Sequence, residues 1–317
     1  MVSFEKVRLK ALELGFDFAG VARAEALDNE ARRLEQWLAG GFHGEMSYME
    51  NHFDLRTDPR KLLPGTRSVI VLSHNYYAEQ NGTSEAKIAR YAYGQDYHKV
   101  LRKKCKALER WMKEAYGDIL FRAFIDSGPV MEREWANRAG LGWNGRNTLN
   151  IRPGVGSYFF LTCVLTDLVF EYANPLRDYC GSCTRCIEAC PTEAISPSGY
   201  LLDASRCISY LTIELRKEIP EEYRKKMEGW VFGCDICQEV CPWNRFAKPH
   251  SEPAFTPSPA LLNMTAYDWS QISEKLWDVI SRGSPLRRTG RVGMQRNGTF
   301  LLKSQSKDEQ SDSTRLP

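Results

Sequence analysis

Residues 180–191 read CGSCTRCIEACP: four cysteines separated by two, two and three residues, then a proline. A second run, Cys234-x2-Cys237-x3-Cys241-Pro242, repeats the ending of the first. Three closely spaced thiolates hold three irons of one cubane, and the cysteine after the longer gap ligates the neighbouring cluster. The second run lacks one member, and spacing suggests Cys207, well upstream, without deciding it. On this reading Cys180, Cys183, Cys186 and Cys241 hold one [4Fe–4S] cluster, and Cys190, Cys207, Cys234 and Cys237 hold a second. Two zinc ions are the alternative. Zinc, however, usually takes paired Cys-x2-Cys units rather than this order with its closing proline. Cys105, on a helix, and Cys163, in an apolar strand, are left over and read as inert buried thiols.

The surroundings agree with metal ligation. The N-terminus, MVSFEKVRLKALELGFDFAG, is an amphipathic helix pattern with charges throughout and no apolar signal core. The longest apolar stretch, 157–170, carries Asp167 and is too short to span a bilayer. These features predict a cytoplasmic protein with no membrane contact. In a reducing cytosol, ten cysteines serve metals rather than disulfides. The sequons at Asn81, Asn263 and Asn297 then carry no meaning. The net charge of +3 neither announces a nucleic-acid partner nor excludes one, because basic residues can cluster.

Helical and strand patterns alternate through residues 1–175. Helices are expected over 5–15, 96–117 and 129–140, and strands over 68–77, 118–126 and 156–166. The pattern predicts an α/β domain with a mixed or mainly parallel sheet. Residues 176–250 form a ferredoxin-like two-cluster segment with a helix over 205–218. Residues 251–300 read as a short helical C-terminal segment, and the polar 301–317 as a disordered tail. A ferredoxin needs only the cysteine segment, so the preceding domain is expected to consume the electrons.

Residues 140–145 read GLGWNG, a literal G-x-G-x-x-G, with Asp167 near where a ribose-binding acid would fall. A dinucleotide site requires a strand before it and a helix after it. Here a helical pattern precedes and none follows, so the glycines read as a place of close backbone approach.

The segments DYHKVLRKK (96–104), IDSGPVMER (125–133), RAGLGWNGRNTLNI (138–151), GSYFFLT (156–162), CGSCTRCIEACPT (180–192), RCISYLTIE (206–214) and CDICQEVCPWN (234–244) follow one another in this order. Together they resemble the epoxyqueuosine reductases, over about residues 1–300. The resemblance implies cobalamin (vitamin B12), two [4Fe–4S] clusters and a low-potential electron donor. It implies reduction of epoxyqueuosine to queuosine at the wobble position of tRNA with a GUN anticodon. In that chemistry low-valent cobalt attacks the epoxide and an aspartate protonates the departing oxygen. Asp126 matches the acid. Arg56, Ala89, Asn150, Leu161 and Ser209 fall where the family contacts the corrin, with Gly142, Trp143, Asn144, Arg146 and Asn147 of the GWNGRNT loop expected beside it. The same eight cysteines match the cluster ligands, Cys207 included.

Other readings stand beside these. Asp126, Ser127 and Gly128 are all capping types, so Asp126 reads equally as the N-cap of the 129–140 helix. Tyr97 and His98 are expected near cofactor or substrate, and His98 lacks the D-x-H-x-x-G context of a cobalt ligand. Longer family members carry a C-terminal helical-repeat domain, of which only the start is matched here. Anticodon contacts would then fall to Lys99, Arg102, Lys103, Lys104, Arg287, Arg288 and Arg291, and base stacking to Tyr93, Tyr97, Trp143 or Tyr210. A corrinoid reductase of a small molecule and a plain ferredoxin-type electron carrier are the competing functions. With no extra apolar seam, a monomer is expected.

Overall fold

A computed structural model describes residues 2–79 and 82–312, with side chains to residue 303. Its first half is built on a four-stranded sheet of β1 (Phe18–Arg23), β2 (Ser68–Asn75), β3 (Phe121–Phe124) and β4 (Phe159–Thr166). The strands lie in the order β1-β2-β4-β3, and every neighbouring pair is antiparallel. This corrects the expected mixed or mainly parallel sheet. SVIVL in β2 is a continuous apolar run, the usual mark of a parallel strand buried on both faces. Here both faces of an antiparallel sheet are covered by helices. Ile70, Leu72 and Val164 face one core, shared with α1 (Phe4–Glu13) and α3 (Tyr97–Tyr116). Val69, Val71 and Leu165 face another, filled by Trp135 and Ala136 of α4 (Glu132–Arg138). The helix α2 (Asp28–Ala39) follows β1, and Leu27 before it packs into that second core. Cys163 lies within the same core and Cys105 in the other, as inert thiols would.

A third core disregards the expected boundaries at 175 and 250. It joins residues of 78–93, α5 (Ile208–Ile213), the strand Trp230–Phe232 and the helices beyond 260. Its last member, α6, spans Gly290–Asp312. Phe300 and Leu301 are buried, so the chain continues as helix where a disordered tail from 301 was expected. Residues 313–317 lie outside the described residues, as does the sequon Asn81. Asn297 is wholly buried and donates to the carbonyls of Thr212 (2.8 Å) and Val231 (2.9 Å), which clamps α6 to α5 and to the Trp230–Phe232 strand. Among the described residues no helix is long and apolar enough to cross a membrane.

Candidate active site and cluster segment

Asp126 sits just past β3 with φ 56°, a left-handed conformation that a non-glycine residue adopts at a cost. It does not cap a helix. The N-cap of α4 is Met131, and no side chain caps that end. Asp126 instead turns away from the helix, with its side chain 65% exposed. The Tyr97 hydroxyl donates to its Oδ2 at 2.8 Å, and His98 Nε2 stands 3.7 Å from the same oxygen. Asp96 caps α3 by accepting from the His98 N–H at 3.0 Å, and it meets His98 Nδ1 at 2.8 Å. The capping acid therefore also orients the imidazole. Tyr97 lies between His98 (ring centroids 4.2 Å) and Phe160 (4.1 Å, planes 10° apart). Burial, and then the Asp126 carboxylate, push the Tyr97 phenol far up, so it keeps its proton and donates.

Glu132 went unnoticed in the sequence, although it lies within IDSGPVMER. Its Oε1 accepts the Asp126 N–H at 2.6 Å, which pins the strained residue. Burial raises its carboxyl well above the ordinary value, and Asp126 adds to this. Its neighbour Arg133 donates to the carbonyl and hydroxyl of Thr148, tying the acid loop to the GWNGRNT loop.

That loop is a hairpin, Trp143–Asn144 against Asn150–Ile151, so no strand–turn–helix dinucleotide site exists here. Gly142 is glycine because a Cβ would stand 2.3 Å from the Ile151 carbonyl oxygen. The loop was expected beside the corrin, but most of it serves the cysteine segment. Trp143 Nε1 points at Cys180 Sγ (3.4 Å), Arg146 donates to the Gly181 carbonyl (2.8 Å), and Asn147 donates to the Cys237 carbonyl (3.3 Å). Within the loop Asn144 accepts from Asn150 (3.2 Å), another residue expected at the corrin.

The cysteines fall into two neighbourhoods. Cys186 has its thiol pushed up to about 11 by burial, then by Cys180, Cys241 and Cys183. Cys234 is raised by burial, then by Cys207 and Cys190, and Cys237 by burial, then by Cys234 and Cys207. Cys207 is thus brought to the partners that spacing alone only suggested. Among the described residues no three side chains converge as ligands to a single ion would.

The segment after the Lys87–Ile88 strand connects this second neighbourhood to the acid. Ala89 N–H donates to the Phe232 carbonyl (2.8 Å) and Arg90 N–H to Asp235 Oδ2 (2.9 Å), beside Cys234. Gly233, at φ 69°, has no room for a Cβ against Ala89. Tyr91 then lies with its ring 6.1 Å from Phe232 and 6.3 Å from Tyr97. Tyr48, also missed in the sequence, has 43% of its surface exposed, and burial, then Glu214 and more weakly Asp126, push its phenol up. Arg56 donates to the Tyr48 carbonyl at 3.2 Å, and Arg288 stacks over the Tyr48 ring while paired with Glu214 (2.8 Å). Ser209 is half-buried near the start of α5, and Leu161 is half-buried in β4.

Several residues expected at the tRNA are otherwise engaged. Tyr93, Trp143 and Tyr210 are buried and offer no face to a base. Lys104 is half-buried in an ion pair with Glu252 (2.9 Å). Lys99, Arg102, Lys103, Arg287 and Arg288 are exposed, and Arg291 is bonded to Gln295.

Residues 179–244 match the family model of a 4Fe-4S double cluster binding domain. Residues 56–127 match the model described as Epoxyqueuosine reductase QueG, DUF1730. The epoxyqueuosine reductase of Cyclobacterium marinum is 51% identical over 299 residues, 93% of this chain and 95% of that protein. That of Escherichia coli K12 is 39% identical over 317 residues, 96% of this chain and 82% of that protein. A crystal structure of epoxyqueuosine reductase with an epoxyqueuosine-modified tRNA-Tyr stem loop superposes with a TM-score of 0.88 at 30% identity, covering 95% of this chain and 80% of that one. The Bacillus subtilis enzyme, with a catalytic aspartate loop swung out of its active site, gives 0.88 at 31%, covering 95% and 81%. The double-cluster match and the reductase relatives define the chain as an iron–sulfur oxidoreductase. The chain belongs to the epoxyqueuosine reductase family.

Proposed function

We propose that this chain reduces the epoxide of epoxyqueuosine to queuosine, on tRNA with a GUN anticodon, as a cytoplasmic monomer. Asp126 is the proton donor in this reading. The two thiolate groups carry the electrons: Cys180, Cys183, Cys186 and Cys241 at the outer cluster, and Cys190, Cys207, Cys234 and Cys237 at the inner. The observation that carries it is the placement of Asp126. It is strained, exposed and held by Tyr97, and the Tyr91 ring lies close to both Tyr97 and Phe232 of the strand beside the inner group.

Residues of this chain fit cobalamin. Arg56 Nε and Asn150 Oδ1 are buried and have no hydrogen-bond partner among the described residues, as polar atoms awaiting a large polar ligand would be. Arg56, Ala89, Tyr97, Asn150, Leu161 and Ser209 would hold it. When bound, it supplies a low-valent cobalt nucleophile for the strained epoxide carbon.

The conversion takes two electrons and two protons and releases the oxygen as water. As the carbon–oxygen bond opens, charge grows on oxygen, and a carboxyl proton within reach quenches it. Tyr97 aims Asp126, and His98, oriented by Asp96, faces the same oxygen. Because Asp126 is open to solvent, it reloads from water for the second proton. Tyr48, exposed and braced by Arg288, is the aromatic best placed to stack on a base. Lys99, Arg102 and Lys103 are free to meet phosphates.

The test is anaerobic. Protein with rebuilt clusters and cobalamin is incubated with dithionite and epoxyqueuosine-containing tRNA, and nucleosides are read by mass for loss of one oxygen. Conversion by the wild type and its loss in Asp126→Asn are expected. Equal conversion by both would remove Asp126 from the mechanism. No conversion with both cofactors bound would point to a small-molecule substrate.

A further inference from the structure

We infer that the surface over the outer cysteine group is the docking site of an acidic one-electron carrier protein. The inference uses the double-cluster domain and rests on the proposed use of its electrons. The inner group lies beneath the third core, beside Ile208, Phe232 and Ile236, all buried. The outer group opens outward. Gly181, Ser182 and Tyr179 beside its thiols are exposed, and a pocket lined by Arg146, Arg185, Arg245, Tyr179 and Trp243 reaches Cys180, Cys183, Cys186 and Cys241. Electrons enter where a partner can approach.

Two features of this face say what approaches. The first is an aromatic collar. Tyr179 and Trp243 have ring centroids 5.9 Å apart, Trp243 and Phe246 6.3 Å, and Tyr179 and Phe246 are both exposed. The second is unspent positive charge. Arg177 lies over the Tyr179 ring (4.8 Å) and Arg245 over Phe246 (4.5 Å), and Arg185 lines the pocket. Among the described residues none of these three has a carboxylate partner, and all three converge on this one face. The nearby acids, Asp178 and Glu188, are fewer than the arginines Arg146, Arg177, Arg185 and Arg245 and bond to neutral groups. Asp178 accepts from the Cys180 N–H and the Tyr200 hydroxyl, and Glu188 is bonded to Thr184. Aromatic and arginine side chains are the residues that anchor protein interfaces. A basic rim steers an acidic partner and speeds its encounter. Nucleic acid is the other polyanion, but its substrate base belongs at Asp126, on the side of the inner group. In the docked pair one electron passes from the reduced carrier to the outer cluster. The carrier is oxidised by one electron, the cluster is reduced by one, and no bond or proton changes.

The experiment uses holoprotein and an acidic [2Fe–2S] ferredoxin as the carrier. Binding is measured by calorimetry at low and high salt, and cluster reduction by stopped-flow bleaching. Arg177→Glu/Arg185→Glu/Arg245→Glu is compared with the wild type, with the lysine triple variant at the same positions, and with Lys106→Glu/Arg110→Glu on the exposed face of α3. The expected result is salt-sensitive binding by the wild type, and binding and ferredoxin-driven reduction weakened about ten-fold or more by the glutamates. The lysine and α3 variants should match the wild type, and dithionite should reduce all four at one rate. Equal ferredoxin-driven rates in wild type and glutamate variant, absence of ferredoxin binding to the wild type, or loss of tRNA binding in place of ferredoxin binding would each overturn the inference. Failure of dithionite-driven epoxyqueuosine conversion would count against the proposed function and leave the docking result standing.

Discussion

Tyr97 donates to Asp126 Oδ2 at 2.8 Å from inside a ring stack with Phe160 and His98. The stack fixes the phenol, and the phenol fixes the acid. Asp126→Asn should lower single-turnover conversion by about 10²–10⁴-fold, the range for losing a general acid. Tyr97→Phe keeps the stack and removes only the hydrogen bond, so it should lower kcat by roughly ten-fold with KM for tRNA little changed, a positioning loss far smaller than that of the acid itself. A Tyr97→Phe variant as fast as the wild type would show that the hydrogen bond does not position the acid.

Glu132 connects the same loop to stability. Burial and Asp126 raise its carboxyl above the ordinary 4.5, so the native state binds this proton more tightly than the unfolded chain does. The associated stability is complete below 4.5 and is lost as the pH rises through the raised value. Glu132→Gln keeps an oxygen for the Asp126 N–H and cannot ionise. Its urea midpoint should therefore exceed that of the wild type at neutral and alkaline pH, with the gap closing in acid. Parallel pH curves for the two proteins would contradict this.

Cys207→Ser should remove the inner cluster and leave the outer one, so that iron per protein falls by about half. Cys105→Ser, in a buried core thiol, should leave the iron content unchanged. Iron and sulfide analysis after reconstitution reads both.

Asn297 is wholly buried and satisfies two carbonyls. Asn297→Ala strands both and opens a cavity. It should cost about 2–4 kcal/mol, read as a lowered urea midpoint. A loss below about 0.5 kcal/mol would mean that the α6 clamp contributes little.

Local spacing carried the parts of this protein that depend on a few neighbouring residues. The cysteine runs disclosed two clusters, since the x2-x2-x3-Pro spacing marks both the thiolates that share a cubane and the one that reaches its neighbour. The helix read over 96–117 is α3, Tyr97–Tyr116, and the strand read over 68–77 is β2, Ser68–Asn75, because each has a clear apolar period. Tertiary structure decided the rest. Apolar runs show that a strand is buried but not which way its neighbours point, so the antiparallel sheet was hidden. Asp126 read equally as a helix cap or an acid, and only the folded chain, with Met131 at the N-cap and Tyr97 approaching from another element, removes the cap reading. Glu132, Tyr48 and the gathering of arginines over the outer cysteine group were invisible for the same reason. Their partners are brought close by folding, and charge, burial and hydrogen bonding between them exist only at those distances.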